Sequence, residues 1–125
     1  MRALIDERRE EGWAPSESEL ERRADKILAQ LSGHPRIVRQ AQFTWLANGL
    51  GRADRYLPDD GIIVEIDGRR WHARLKDFDR DRWRDNQVVA HGLIPLRFTY
   101  LHVTTRPREV LHVIEQTRRT HRRAA

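Results

Sequence analysis

Residues 51–72, GRADRYLPDDGIIVEIDGRRWH, decide the fold because they predict two strands joined by a tight turn. The segment Pro58–Gly61 supplies the turn, since proline, aspartate and glycine favour the backbone angles that tight turns need. The β-branched run Ile62–Val64 then begins the second strand. A loop of this length pairs Leu57 with Ile62, and counting back along the two strands sets Asp54 opposite Glu65.

Three carboxylates of this hairpin are predicted to share one face. Directly opposite residues lie on the same face, and so do residues two apart on a strand, so Asp67 joins Asp54 and Glu65. Opposed acids without partners destabilise a sheet, and oxygen ligands grouped in this way are typical of a divalent-cation site. The hairpin therefore predicts the centre of a metal-dependent phosphodiesterase, although Asp67 could equally be a turn-forming residue before Gly68.

Length and composition narrow the classes of protein. A chain of 125 residues predicts one domain. The sequence has no apolar run long enough to cross a bilayer, its first residues lack the order of a signal peptide, and it has no cysteine for a disulfide or a thiolate zinc site. We expect a cytoplasmic protein without a membrane partner.

The charge is basic and comes almost entirely from arginine. The net charge is +5, with 22 arginines and two lysines. Guanidinium groups match phosphate geometry, so the composition suits nucleic-acid binding, although a GC-rich genome gives the same bias. An acidic site on an otherwise basic protein favours the binding of a metal ion together with a polyanion.

The rest of the chain predicts an α/β fold of order α-β-β-β-α-β with a further terminal helix. Ser18 would begin the first helix with Glu21 in a capping box, and Leu20, Ala24, Ile27, Leu28 and Leu31 would form its apolar stripe. The other expected elements are a strand over 37–45, a turn at Asn48-Gly49, a helix over 77–91, a strand over 94–100 and a helix from Pro107. We expect Trp45 and Trp83 in the core and Trp71 at the surface.

This order, with an aspartate on the second strand and Glu65-Ile66-Asp67 on the third, resembles that of the PD-(D/E)XK nuclease superfamily. Residues 51–72, together with DRWRDN (81–86) and HGLIPLRF (91–98), more closely resemble a bacterial domain family related to very-short-patch repair endonucleases. The similarity runs from Ser18 to Ile114. It implies a restriction-endonuclease-like core with a mixed sheet flanked by helices. The implied division is an extension over 1–15, an endonuclease-like domain over 16–117 and a basic tail over 118–125.

The resemblance also implies roles for individual residues. Asp54 would be the central metal ligand, Glu65 the second acid, and the Ile66 carbonyl a further ligand. Glu21 would reach the metal through water, unless it caps its helix, in which case Glu19 is the alternative. His72 would accept a proton, with a carboxylate-bound water as the alternative. Asp67 is added to the expected catalytic set because it shares the face of Asp54 and Glu65, and not because of the resemblance.

DNA contacts are expected from the basic residues near the hairpin and from one aromatic side chain. An exposed tryptophan beside arginines suits stacking on bases. Asp81 and Arg84 could instead form an ordinary exposed pair on their helix, one turn apart. The expected nucleic-acid contacts are Arg52, Arg69, Arg70, Trp71, Arg74 and Arg84.

The chain departs from the family pattern at two points. Asp67 stands where the superfamily has a lysine, and the cysteines that hold zinc in the repair endonucleases are absent. We expect a Mg²⁺- or Mn²⁺-dependent endonuclease acting on DNA, as a monomer or homodimer. The alternative is a catalytically weak nucleic-acid-binding or defence-associated module on the same fold. A small-molecule metallohydrolase is disfavoured because no pair of histidines has ligand spacing.

Overall fold

A four-stranded mixed sheet flanked by helices forms the centre of the protein in the computed structural model, which describes residues 16–46, 52–68 and 75–124. Strands β1, β2 and β3 run antiparallel in that spatial order, and β4 pairs with β3 in parallel. The predicted α/β class and element order are confirmed, with one additional short helix. The elements are α1 (Glu17–Leu28), β1 (Val38–Gln42), β2 (Arg52–Leu57), β3 (Ile62–Asp67), α2 (Phe78–Ala90), β4 (Ile94–Thr99), α3 (Tyr100–Thr105) and α4 (Pro107–Ala124).

The β2–β3 hairpin has the predicted register. Leu57 pairs with Ile62, and the pairing continues to Arg55 and Val64. The turn closes through the amide of Gly61, which donates to the Leu57 carbonyl at 2.9 Å. Gly61 has a φ of +68°, a left-handed conformation that glycine adopts without steric cost. Local turn chemistry is therefore sufficient to set this register.

The sheet is covered on both faces, by different helices. Ile62 and Val64 point into a cluster with α1, α3 and α4, which includes Ile114. Ile63 points the other way, into a smaller cluster with Val88 of α2. The predicted apolar stripe of the first helix is confirmed, because all five of its residues are buried: Leu20, Ala24, Ile27, Leu28 and Leu31.

The first helix begins earlier than the sequence predicts. Ser16 is its N-cap, and the Ser16 hydroxyl accepts a hydrogen bond from the amide of Glu19 at 3.2 Å. The predicted capping box of Ser18 and Glu21 is therefore wrong. Because the N-cap lies two residues upstream, the Glu21 side chain does not cap the start of the helix and is available for other contacts.

The last helix continues to Ala124, so residues 118–124 are part of the folded domain and not a separate basic tail. Arg118 is buried, and its Nε lies 3.0 Å from Oδ2 of Asp60 in the hairpin turn. Arg122 reaches the other oxygen of the same fully buried carboxylate at 2.6 Å. These two ion pairs attach α4 to the hairpin.

The predicted elements around α2 and β4 need smaller corrections. The helix spans Phe78–Ala90, and β4 ends at Thr99, whose hydroxyl caps α3 by accepting from the amide of His102. Trp83 is 64% exposed, so its predicted core position is wrong. Trp45 is half-buried against the smaller cluster and stacks on His91.

Two predicted features, the extension over 1–15 and the turn at Asn48-Gly49, lie outside the described residues. The first strand is shorter than predicted, because it covers only Val38–Gln42. No helix within the described ranges is long and apolar enough to cross a membrane.

Candidate active site

The sheet is locally interrupted around Asp54. Strand pairing between β1 and β2 runs on both sides of Gln40 but omits the Gln40–Asp54 pair, and the β2–β3 pairing stops one residue short of Asp54. Gln40 has a φ of +53°, which is strained for a residue with a side chain. The Asp54 carboxylate fills the gap, because its Oδ2 accepts from the amide of Ile66 at 3.1 Å. This hydrogen bond fixes the carboxylate where β2 and β3 separate.

A cavity of about 330 Å³ opens at this point, between α1 and the two strands. Asp54 and Glu21, which the sequence assigned to a metal site, both line it, as does Ile66. A side chain in place of Gly68 would meet Leu20, since a Cβ there would lie 2.5 Å from Leu20 Cδ1. The complete lining is Glu17, Leu20, Glu21, Ala24, Asp54, Arg55, Ile66 and Gly68.

Arginines from the sheet balance the acids around this cavity. Arg55 is buried, and its guanidinium lies 3.1 Å from Oδ1 of Asp54 and 3.1 Å from Oδ1 of Asp25 on α1. Arg39 pairs with Asp25 at 3.2 Å and with Glu21 at 3.6 Å. The acidic groups are thus held by a continuous network that connects α1 with β1 and β2.

Glu65 has a different environment from Asp54. Continuing the hairpin register sets these two residues opposite each other, but the Glu65 carboxylate pairs with Arg84 of α2 at 2.6 Å. Burial raises the pKa of Glu65, the Arg84 guanidinium opposes that rise, and the charge of Asp54 adds a small increase. A cation shared by both acids stays a prediction.

The position of Arg84 corrects its assignment to DNA. The Arg84 side chain is buried and engaged with Glu65, so it is not available at the surface for a phosphate. Because Arg84 is buried, the alternative of an exposed pair with Asp81 is wrong as regards its exposure. Arg84 therefore connects α2 with Glu65 of β3.

Asp67 is buried at the end of β3, in register with Thr99 of β4. Strand alternation gives it the same face as Glu65. Its catalytic role stays a prediction.

Sequence reasoning missed several residues of this site. Glu17 and Asp25 lie four residues before and after Glu21, a spacing that gives all three the same side of a helix and that could have revealed them. Arg55 carried no such signal, because the local sequence around a buried arginine in a strand looks the same as that around an exposed one.

The donor chemistry of the cavity fits a hard divalent cation. In the part of the chain that the structure describes, no three acidic, histidine or cysteine side chains are grouped closely enough to hold a metal ion together. Magnesium does not need such a cage, because it keeps several waters and commonly takes one or two carboxylates together with substrate phosphate oxygens. Asp54 and Glu21 carry carboxylate oxygens of this kind at the cavity.

Other predicted site residues lie outside the described ranges: His72, Arg69, Arg70, Trp71 and Arg74. The same holds for the side chain of Arg52, although its backbone belongs to β2. Their roles stay predictions.

Comparison with models of known protein families, with curated proteins and with solved structures finds no match to this chain. The family resemblance therefore rests on the motifs of the sequence alone.

Proposed function

We propose that the protein is a divalent-metal-dependent endonuclease that hydrolyses phosphodiester bonds in DNA. One observation carries the proposal: Asp54 from β2 and Glu21 from α1, both expected as metal ligands, line the same cavity. The strained Gln40 beside Asp54 supports it, since strained backbone often accompanies functional sites. The choice of DNA over RNA rests on the family resemblance.

The topology supports the narrower proposal of a restriction-endonuclease-like core. The order α-β-β-β-α-β is present, with three antiparallel strands followed by a strand parallel to β3. Asp54 lies beside the point where β2 and β3 separate, and α1 packs across the same end of the hairpin. This arrangement brings acids from two elements to one edge of the sheet.

The chain's own residues would divide the chemistry between them. Asp54 would hold the cation and Glu21 would reach it through water, while Arg55 with the Ile66 amide would keep the Asp54 carboxylate in one orientation. When bound, Mg²⁺ or Mn²⁺ supplies Lewis acidity, which lowers the pKa of a bound water and polarises the phosphate. His72 would accept the proton, while Arg52 and Arg69 would bind flanking phosphates.

A second candidate is a DNA-binding module without catalysis. The ion pair between Glu65 and Arg84 favours it, because it occupies the second acid with an internal partner. Asp67 in place of a lysine points the same way. Both candidates predict DNA binding, so cleavage is the property that separates them.

The test is cleavage of supercoiled plasmid DNA with Mg²⁺ or Mn²⁺ and with EDTA. We expect metal-dependent nicking or linearisation, and Asp54→Asn should lower its rate about 10³-fold, since a catalytic metal contributes several kcal/mol at the transition state. Asp59→Asn is the matched control, because Asp59 is an exposed aspartate of the same hairpin. DNA binding without cleavage under any metal would favour the second candidate, and equal loss in both variants would reject Asp54 as a ligand.

A further inference from the structure

A second cavity, of about 380 Å³, lies on the other side of α1, against α3 and the start of α4. Its apolar part includes the buried side chains Ile27 and Val103, together with Pro107. The remaining lining residues are Arg23, Lys26, Gln30 and Arg108. The cavity therefore combines an apolar floor with a polar, cationic rim.

The rim carries three positive side chains and no carboxylate. Arg23 is paired with Glu19 of the same helix at 3.1 Å. Lys26 and Arg108 are exposed, and within the described parts of the chain neither has an ion-pair partner. Two cations without counterions beside an apolar floor give a site for an anion.

We propose that this cavity binds a nucleotide through its phosphate. Lys26 and Arg108 would contact the phosphate oxygens, and the base would lie on Ile27, Val103 and Pro107. The volume falls in the range of small-molecule sites, and such sites combine an apolar lining with a few placed polar groups. The site is separate from the first cavity, lined by Asp54 and Glu21, which we call the carboxylate cavity. The proposal therefore does not depend on the nuclease activity.

The phosphate could be that of a free nucleotide or the terminal phosphate of a DNA strand. Titrations of the full chain in EDTA with dAMP, adenosine, inorganic phosphate and a 5′-phosphorylated oligonucleotide distinguish these sources. If the oligonucleotide displaces dAMP, the site accepts the terminal phosphate of a DNA strand. If the oligonucleotide does not displace dAMP, the site binds the free nucleotide. We expect dAMP to bind more tightly than adenosine or phosphate alone.

Substitutions locate the site. A hydrogen bond to a charged group is stronger than one between neutral groups, so Lys26→Gln or Arg108→Gln should raise the Kd for dAMP about 10- to 100-fold. Arg119→Gln is the matched control, since Arg119 is an exposed arginine on α4 outside the cavity. NMR shifts on adding dAMP should centre on the amides of Ile27 and Val103.

Three results would overturn the proposal. They are no dAMP binding at millimolar concentration, equal binding of dAMP and inorganic phosphate, and equal weakening by Arg119→Gln and Arg108→Gln. Because EDTA is present throughout, none of these results depends on whether the protein cleaves DNA.

Discussion

The two sides of α1 carry opposite charges and use them differently. On one side Glu17, Glu21 and Asp25 follow at four-residue spacing, and the first two line the carboxylate cavity. On the other side Arg23 and Lys26 line the second cavity, which we call the cationic cavity. Glu21 and Asp25 are paired with arginines of the sheet, whereas Lys26 has no ion-pair partner among the described residues.

This difference shows which charges belong to the fold and which are available to a ligand. Arg55 is buried, so removing its charge from water is costly unless carboxylates compensate it. Asp25 and Asp54 do so, and their positions are fixed in return. Lys26 and Arg108 of the opposite cavity are exposed, so they keep their hydration and need no partner for folding. Stability and binding measurements should therefore separate the two sides.

The largest expected effect on stability follows from removing the buried cation on the acidic side. Arg55→Met should lower the free energy of unfolding by roughly 2–3 kcal/mol, below the cost of breaking a fully buried pair because both carboxylates are partly exposed. Urea denaturation measures this loss. Arg39→Met, at a half-exposed position, should cost much less. Equal stability of the Arg55 variant and the wild type would contradict a structural role for this network.

A second test compares an acid of the cavity with an acid elsewhere. Glu21→Gln should lower the rate of metal-dependent DNA cleavage about 10- to 100-fold, the usual effect of changing a group that supports a metal through its outer shell. The measurement is the single-turnover rate at saturating DNA. Glu109→Gln, at an exposed position on α4, is the control. If the Glu21→Gln variant cleaves DNA at the wild-type rate, Glu21 does not support the metal, and the metal site is confined to the hairpin.

A third test uses the pH dependence of stability, where two glutamates should act in opposite directions. Burial raises the pKa of Glu65 in the fold despite Arg84, so the folded state retains a proton that the unfolded state loses. Stability from this group therefore falls as the pH rises from about 4.5 through the folded pKa. Glu65→Gln should remove that decrease.

Glu115 provides the opposite case. Burial acts to raise its pKa, but hydrogen bonds from Ser32 and Arg118 outweigh burial and lower it. The contribution of Glu115 to stability is present above its pKa in the unfolded state, and it is lost as the pH falls through its pKa in the folded state. Thermal unfolding midpoints of wild type, Glu65→Gln and Glu115→Gln across acidic pH measure both slopes, and slopes of the same sign would contradict this account.

The smallest expected effect lies on the cationic side. The double variant Lys26→Gln/Arg108→Gln should change the free energy of unfolding by no more than about 0.5 kcal/mol, as is usual for exposed positions without special contacts. Urea denaturation again measures it. A loss above about 1 kcal/mol would mean that these cations stabilise the fold, and the contrast between the two sides of α1 would then fail.

The parts of the fold that the sequence predicted are those set by local rules. The Pro58–Gly61 turn fixed the pairing of Leu57 with Ile62, because turn length alone determines that register. The apolar stripe of α1 followed from helical periodicity in the same way. For the site, Asp54 and Glu21 were selected by motif, and both line one cavity.

The remaining features depend on contacts between distant segments. Ordinary residue preferences put Trp83 inside and Arg84 outside, but the structure reverses them, since Arg84 has a carboxylate to meet at the sheet. The two arginine partners of Asp60 are 58 and 62 residues away, so no local pattern identifies these pairs. The N-cap was misplaced by two residues because Ser16 and Ser18 are equally good capping residues.

The buried carboxylate of Asp60 has a consequence for the order of events on the ribosome. Its two arginine partners follow it by 58 and 62 residues. At typical synthesis rates Arg118 is therefore added roughly 3 to 12 seconds after Asp60. Until then the hairpin turn has no partner for its charge and must stay hydrated. The nascent sheet can acquire its hairpin early, but it can bury the turn only after α4 has been translated.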